Sequence, residues 1–170
     1  MVGPKIEFRP GSAGDLKDII RLLSDDPLTG ELEGAQEIAM DSIPSVYRRA
    51  WDAIEASQDN MLLVAVVDKE VIAVLQLTLI PSLTLRGSPR AQVEGVRVAS
   101  AYRGQGVGTR LLKRSIELAR EKNCRLLQLT MDRRRERAGN FYRQLGFVAT
   151  HEGFKMELDP KNEIVNDQKT

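Results

Sequence analysis

The chain has 170 residues, 29% charged and 42% hydrophobic, which is typical of one globular domain with a single substantial core. A net charge of +1 gives no field that favours nucleic acid or membranes, and the single Cys124 and His151 exclude an intramolecular disulfide and a metal cluster built from such residues. No apolar run reaches membrane-spanning length and residues 1–5 do not resemble a signal peptide, so we expect a cytoplasmic protein without a metal.

The first half of the chain predicts a strand, two helices and an antiparallel meander. Residues 6–9 alternate as a strand does, and Ser12 and Asp15 form a capping-box-like start to a helix. That helix has apolar residues at helical spacing: Leu16, Ile19, Ile20, Leu22 and Leu23. A second helix is predicted after Pro44, with an inward face: Val46, Ala50, Trp51, Ala53 and Ile54. Strands at 61–67, 71–80 and 90–98, joined by local turns, then form the meander.

The segment from residue 22 to residue 47 is strongly acidic. It contains no Lys or Arg and six acids: Asp25, Asp26, Glu31, Glu33, Glu37 and Asp41. Because no basic residue of the segment balances these charges, we expect their field to be uncancelled locally. Two interpretations stay open, a solvated connector and a lid whose negative field favours a cationic amine.

A glycine-rich turn follows the strand that ends at Val98. Gly104, Gly106 and Gly108 allow backbone N–H groups to crowd together at the positive end of the next helix, which is a seat for phosphate. A P-loop would need Lys-Ser/Thr after its last glycine, and a dinucleotide fold would need G-x-G-x-x-G. Neither spacing is present.

The second half predicts a parallel crossover and a closing hairpin. The helix after Gly108 ends near Asn123 in a left-handed residue, and a buried strand at 126–131 returns beside the Val98 strand. A further helix runs through Leu145 to a Gly146 cap. Strands at 147–150 and 154–158 are expected to complete the sheet, and residues 160–170 form a polar C-terminal tail.

Two motifs together resemble the GNAT N-acetyltransferase superfamily, in its bacterial small-molecule type. Residues 103–108 fit Arg/Gln-x-x-Gly-x-Gly/Ala, and residues 138–147 fit A-x-x-F-Y-x-x-x-G-F. The resemblance implies an α+β (α/β) fold, with a mixed, mostly antiparallel sheet of six to seven strands, a splayed parallel pair and about four helices. It also implies a single acetyltransferase domain over residues 1–159.

The resemblance implies acetyl-CoA as co-substrate. The splayed strand would bind its pantetheine arm through Val96, Arg97 and Val98, with a bulge at Gly95. The turn would bind the pyrophosphate through Arg103, Gly104, Gln105, Gly106, Val107, Gly108 and Thr109. Arg135 stands where much of the superfamily has Asn, so its contact with cofactor or acceptor is open.

The resemblance also assigns the chemistry. Tyr142 would donate a proton to the leaving thiolate, and Glu94 would take one from the attacking amine, with a water chain as the alternative base. Thr150-His151-Glu152-Gly153 resembles a segment of small-molecule acetyltransferases, where the histidine shapes the acceptor pocket or pairs with backbone.

The predicted function is acetyl transfer to a primary amine of a small cationic acceptor. Acetylation of a protein lysine or amino terminus, and coenzyme A sensing without turnover, are the alternatives. Nucleic acid is not an expected partner, because the basic cluster of Arg133, Arg134, Arg135 and Arg137 lacks interleaved aromatics. A membrane is not expected either, and the resemblance leaves a homodimer open.

Overall fold

The computed structural model describes residues 5–26, 43–156 and 158, and the chain divides into two compact units, Met1–Thr130 and Met131–Thr170. The first unit contains five strands: β1 Glu7–Pro10, β2 Asn60–Val67, β3 Glu70–Ile80, β4 Arg90–Val98 and β5 Leu126–Leu129. Its helices are α1 Leu16–Ser24, α2 Ser45–Glu55, the single turn α3 Thr84–Gly87, and α4 Val107–Glu121. The second unit contains α5 Glu136–Gln144.

The five strands form one sheet in the order β1-β2-β3-β4-β5. Neighbours from β1 to β4 are antiparallel, and β5 is parallel to β4 after the α4 crossover. Asp68 and Lys69 close the β2–β3 hairpin with φ angles of 47° and 72°, the left-handed pair that a two-residue turn of this type needs. The predicted mixed, mostly antiparallel α+β architecture with one parallel pair is confirmed.

Both faces of the sheet are covered. One face packs against α1 through buried residues: Ile19, Leu22, Val64, Val66, Val71 and Val74. Residues of the opposite parity, including Leu63, Leu75 and Val93, are also buried, and α4 contacts β2, β3 and β4. Strands covered on both sides read as continuous apolar runs, as β2 does.

The buried face of α2 differs from the predicted one. Trp51 is buried with Leu16 and Ile20, and Tyr47 packs against the same cluster. Val46, by contrast, is 54% exposed, and Ala50 and Ala53 are also exposed. The prediction was right for Trp51 and wrong for these three, because the two large aromatics lie at i and i+4 and bury more apolar surface than a valine–alanine stripe.

The predicted sixth and seventh strands are not confirmed. Residues 147–156 form no strand, and Val148 is 76% and Phe154 93% exposed. These strands were expected to complete the sheet, but a strand needs a neighbour for its backbone groups. The acids from Glu31 to Asp41 and the tail at 160–170 lie outside the described residues. No helix in the described ranges is both long enough and apolar enough to cross a membrane.

Candidate active site

The parallel strands β4 and β5 separate partway along the sheet. Their pairing runs from Arg90–Leu126 to Val93–Leu129, where β5 ends. β4 continues to Val98, so the edge of Glu94–Val98 that faced β5 has no further β5 partner. The predicted contacts Val96, Arg97 and Val98 lie on this edge, whose N–H and C=O groups are suited to an extended ligand.

Gly95 forms the predicted bulge in β4 at this point. Pairing of β3 with β4 shifts between Val74–Arg97 and Gln76–Glu94, so Gly95 and Val96 stand opposite one β3 residue. The φ of Gly95 is 60°, and a Cβ there would lie 3.7 Å from a Leu23 methyl, an ordinary contact. The left-handed backbone, and not lack of space, therefore requires glycine.

The glycine turn presents backbone donors in the predicted way. Gly104 and Gly106 have φ angles of 74° and 77°, and Gly106 is the N-cap of α4. The first helical bond runs from Arg110 N–H to Gly106 O at 3.1 Å, so the N–H groups of the preceding first-turn residues point along the helix axis. Apart from the adjoining backbone, no described atom lies within 4 Å of a Cβ built on either glycine. The turn is therefore open to a close-fitting anion.

Two side chains that were predicted to bind the cofactor form hydrogen bonds to the backbone around this turn. Gln105 Nε2 donates to Ala101 O at 2.7 Å, and Arg103 Nε donates to Val98 O at 2.9 Å. Arg103 Nη2 also lies 3.4 Å from an Asp25 carboxylate oxygen. Val107 is 1% exposed and anchors the turn in the core. The turn is thus fixed by its side chains and available through its backbone.

Arg97 forms a buried ion pair that local sequence did not indicate. Its Nη2 lies 2.8 Å from Asp26 Oδ2, and the two side chains are 18% and 2% exposed. Asp25 and Asp26 are thus paired with Arg103 and Arg97. The expectation of an uncancelled acidic field is wrong for these two acids.

Glu94 lies at the point where the strands separate. It follows Val93, the last β4 residue paired with β5, and it stands opposite Gln76 of β3. Its side chain is exposed. This places a carboxylate beside the opening, and its role as base stays a prediction.

Tyr142 lies in the second unit, on α5. Its half-buried ring contacts Phe141 at 5.3 Å and the edge of Phe147 at 5.9 Å between ring centroids. Gly146, with a φ of 91°, ends the helix as predicted and lets Phe147 N–H donate to Tyr142 O at 3.1 Å. The ring is held by aromatic packing. Contact of Tyr142 with coenzyme A stays a prediction.

Within the second unit, Arg133 and Arg134 of the arginine cluster form ion pairs. Arg134 Nη2 lies 2.6 Å from Asp132, whose pKa this guanidinium holds well below its usual range, and Arg133 pairs with Glu152 at 3.2 Å. Arg135 is the half-buried N-cap of α5. The cluster is therefore partly neutralised and is not a bare cationic patch.

His151 and Cys124 are the remaining candidate side chains. His151 is exposed, with Nδ1 2.8 Å from the Thr150 hydroxyl. Cys124 is half-buried beside a cavity of about 640 Å³, and burial raises the pKa of its thiol. No group of three His, Cys, Asp or Glu side chains arranged to hold a metal occurs in the described ranges.

Comparison with known proteins identifies the family. The family model of the acetyltransferase (GNAT) family matches residues 18–147, which include both the glycine turn and the α5 motif. The chain belongs to the GNAT acetyltransferase family.

The individual relatives of this chain carry different functional names. Thialysine N-epsilon-acetyltransferase of Bos taurus is 37% identical over 54 residues, so the match spans 32% of this chain and 32% of that protein. The chain therefore matches only about a third of the length of this curated relative. A crystal structure of a transcriptional regulator from Bacillus halodurans C-125 is 42% identical, with a TM-score of 0.85 over 90% of this chain and 99% of that one. A Trypanosoma brucei acetyltransferase shares the fold at 24% identity, with a TM-score of 0.74 over 91% of this chain and 100% of that one.

Proposed function

We propose that this protein is an acetyl-CoA-dependent N-acetyltransferase, a single domain over residues 1–159, that acts on a primary amine of a small acceptor. The observation that carries the proposal is the separation of β4 from β5 beyond Val93–Leu129, on a strand that leads into the glycine turn. Strand backbone that has no β5 partner and helix N–H groups follow each other along the chain there, with the Val96 and Val98 carbonyls accepting hydrogen bonds from the side chains of Arg97 and Arg103. This order suits a long ligand with an amide-containing arm and a pyrophosphate.

The proposed roles follow from these positions. Acetyl-CoA supplies an activated acetyl thioester. The backbone of Val96, Arg97 and Val98 binds its arm, and the N–H groups from Gly104 to Thr109 bind its phosphates, with Arg135 beside the cofactor or acceptor. Glu94 takes the proton of the amine, directly or through water, and Tyr142 delivers a proton to the sulfur.

We propose that the acceptor is cationic, although fewer acidic residues support this than the sequence suggested. The bovine relative is named for an amine-bearing amino acid acceptor. Of the six acids between the first two helices, Asp25 and Asp26 are occupied by arginines. The other four, Glu31, Glu33, Glu37 and Asp41, are the ones that would attract a cation.

Thiol release from acetyl-CoA across a panel of amines tests the proposal. Amine-dependent release, with the acetylated amine identified by mass, is the expected result. The panel should include small amines, a lysine-containing peptide and a free amino-terminal peptide, because these separate the small-molecule activity from protein acetylation. If no amine of the panel causes thiol release, the proposal is contradicted.

A second function, coenzyme A binding by a regulatory module without turnover, is favoured by one observation. The Bacillus halodurans relative, at 42% identity over nearly the whole chain, is named a transcriptional regulator. Such a module would bind coenzyme A in calorimetry and release no thiol with any amine. The acidic Glu94 beside the strand opening favours the enzyme.

The glycine turn permits a matched test of cofactor binding. Gly106→Ala is expected to weaken coenzyme A binding by about tenfold or more, because a methyl group holds the pyrophosphate away from charge-assisted N–H donors. Gly87→Ala is the control, since Gly87 has a φ of 76° and an equally open surrounding, yet lies on α3. Calorimetry that gives both variants the wild-type affinity would reject the phosphate seat.

A further inference from the structure

A row of polar side chains crosses four strands of the sheet. Asn60 of β2 stands opposite Thr78 of β3, Thr78 opposite Gln92 of β4, and Gln92 opposite Gln128 of β5. All four are half-buried. Directly opposed residues have side chains on the same face, so these four form one continuous row, which we call the amide row.

The amide row lies on the face of the sheet that α1 covers at its other end. Val64 and Val74 are paired with each other and belong to the cluster under α1. Asn60 and Val64 are separated by an even number of residues along β2, so strand alternation places their side chains on the same face of the sheet. The face is therefore apolar under α1 and polar at the amide row. Half-buried amides at the end of an otherwise apolar face offer polar groups to a ligand.

Hydrogen bonds hold the row in place and leave specific groups available. Asn60 Oδ1 accepts from Thr78 Oγ1 at 2.6 Å and from Gln76 Nε2 at 3.3 Å, and Gln92 Oε1 accepts from Gln128 Nε2 at 2.7 Å. Within residues 5–26 and 43–130, the amide N–H2 group of Gln92 and the amide oxygen of Gln128 make no side-chain hydrogen bond. A neutral donor and a neutral acceptor thus stand side by side.

The amide row adjoins the proposed reaction centre. The Gln92–Gln128 pair comes immediately before Val93–Leu129, the last pair before the strands separate. Glu94 is two residues after Gln92 on the same strand and therefore about 7 Å further along the same face. A small molecule of ordinary size would reach from Glu94 to Gln92 and Gln128.

We propose that the amide row binds hydroxyl groups of the acceptor, and that the acceptor is a polyhydroxylated primary amine whose nitrogen lies at Glu94. The proposal rests on the proposed acetyltransferase function. A hydroxyl both donates and accepts, so adjacent hydroxyls pair with the donor of Gln92 and the acceptor of Gln128 together. An apolar amine would desolvate these groups without replacing their hydrogen bonds, which a polar site penalises.

Three amines on one ring test this inference: cyclohexylamine, 4-aminocyclohexanol and an aminocyclitol, with no, one and several hydroxyl groups. The wild type is expected to show kcat/KM rising in that order. Gln92→Met combined with Gln128→Met keeps the side-chain length and removes both partners. It should reduce the preference for the aminocyclitol over cyclohexylamine by roughly 25-fold, about fivefold for each hydrogen bond lost.

Controls separate this result from damage to the fold. The double variant should keep its coenzyme A affinity, and its kcat/KM for cyclohexylamine should not fall, because that amine makes no hydrogen bond to either glutamine. Gln58→Met replaces an exposed glutamine before β2 and should keep the wild-type preference. A double variant with an unchanged preference, or a wild type that prefers cyclohexylamine, overturns the amide row as an acceptor site.

Binding keeps the inference testable if no amine is acetylated and the proposed function fails. Calorimetry with coenzyme A-loaded protein then compares the aminocyclitol with cyclohexylamine. Tighter binding of the aminocyclitol that is lost in the double variant, and kept in Gln58→Met, supports a hydroxyl-binding row. Equal affinities, or no binding of the aminocyclitol, reject it.

Discussion

At the scale of single residues, side chains and backbone in the glycine turn have different functions. The turn and its flanking strand carry arginines that the family motif would assign to the cofactor. Arg97 and Arg103 instead pair with Asp26 and Asp25, and Arg103 also binds the backbone of Val98. In the proposed function, ligand binding at the turn therefore rests on backbone N–H groups, whereas the side chains keep these groups in position.

Tyr142→Phe is expected to reduce kcat by about 10²–10⁴-fold, because it removes the proposed general acid. Phenylalanine keeps the contacts with Phe141 and Phe147, so the packing of the ring should be retained. Coenzyme A affinity, measured by calorimetry, is expected to stay within twofold, roughly the value of a weak hydrogen bond.

Tyr102→Phe is the matched control for this substitution. Tyr102 is half-buried in the short turn before the glycine turn, and its variant should retain wild-type turnover. Full activity in Tyr142→Phe would show that Tyr142 is not the general acid and that water donates the proton. Loss of coenzyme A binding with unchanged kcat would make Tyr142 a binding residue only.

At the scale of elements, the start of α1 shows how a local motif recruits a distant partner. The Asp15 carboxylate accepts from the backbone N–H of Ser12 at 2.7 Å, as the capping pattern predicts. The Ser12 hydroxyl also donates to this carboxylate at 2.8 Å. The carboxylate also binds both terminal nitrogens of Arg9 on β1, at 2.7 and 2.8 Å. Arg9, with the help of Ser12, lowers the pKa of the buried Asp15 to about 2.

This pKa predicts a stability loss in acid. An aspartate has a pKa of about 3.9 when unfolded, so its native form is stabilised above that pH, and the stabilisation is lost as pH falls towards 2. The contribution is about 2 kcal/mol. Urea unfolding at pH 7 to 3, followed by the fluorescence of the single Trp51, should therefore show a shallower pH dependence in Asp15→Asn than in the wild type.

Asp18→Asn on the same helix is the control. Asp18 pairs with Arg21 three residues on, and the Arg21 side chain is 57% exposed, so the pair contributes little. Its pH dependence should follow the wild type. Parallel curves for Asp15→Asn and the wild type would show that the Arg9 pair is not a source of acid sensitivity.

Local sequence patterns predicted most helices and strands. They failed where packing or strand pairing with residues distant in sequence determines the structure. Strand alternation, the β2–β3 hairpin and the left-handed Asn123, with a φ of 57°, were predicted from local sequence, and the Gly95 bulge from the family resemblance. The buried face of α2 was not, because two overlapping apolar stripes compete and only packing chooses between them. The C-terminal strands were not confirmed, because their pairing depends on partners distant in sequence.

At the scale of the whole molecule, contacts distant in sequence account for what sequence reasoning missed. The four members of the amide row are each visible in the sequence as polar positions within apolar strands, yet their alignment needs the register of four strands. The pair of Asp26 with Arg97 joins the chain just after α1 to β4. No local signal distinguishes Asp26 from Asp25, although only Asp26 is buried.

This difference in burial predicts that the Asp26–Arg97 and Asp25–Arg103 pairs contribute unequally to the free energy of unfolding. Asp26→Leu or Arg97→Met alone removes one partner of a buried pair, which costs roughly 3–5 kcal/mol. The combined variant should recover most of that loss, because apolar residues replace both charges at once. Urea unfolding followed by Trp51 fluorescence measures each free energy, and the double-mutant cycle gives the coupling between the two residues.

Asp25 and Arg103 supply the control at the neighbouring positions. Their side chains are 59% and 54% exposed and lie 3.4 Å apart, so solvent and salt screen the pair. Asp25→Leu and Arg103→Met should each change the unfolding free energy by less than about 1 kcal/mol and combine additively. Additive effects at Asp26 and Arg97 would instead show that burial of this pair does not couple the residue after α1 to β4. Strong coupling there, with none at the exposed pair, would establish Asp26 as the anchor that fixes the start of the acidic segment to the proposed cofactor strand.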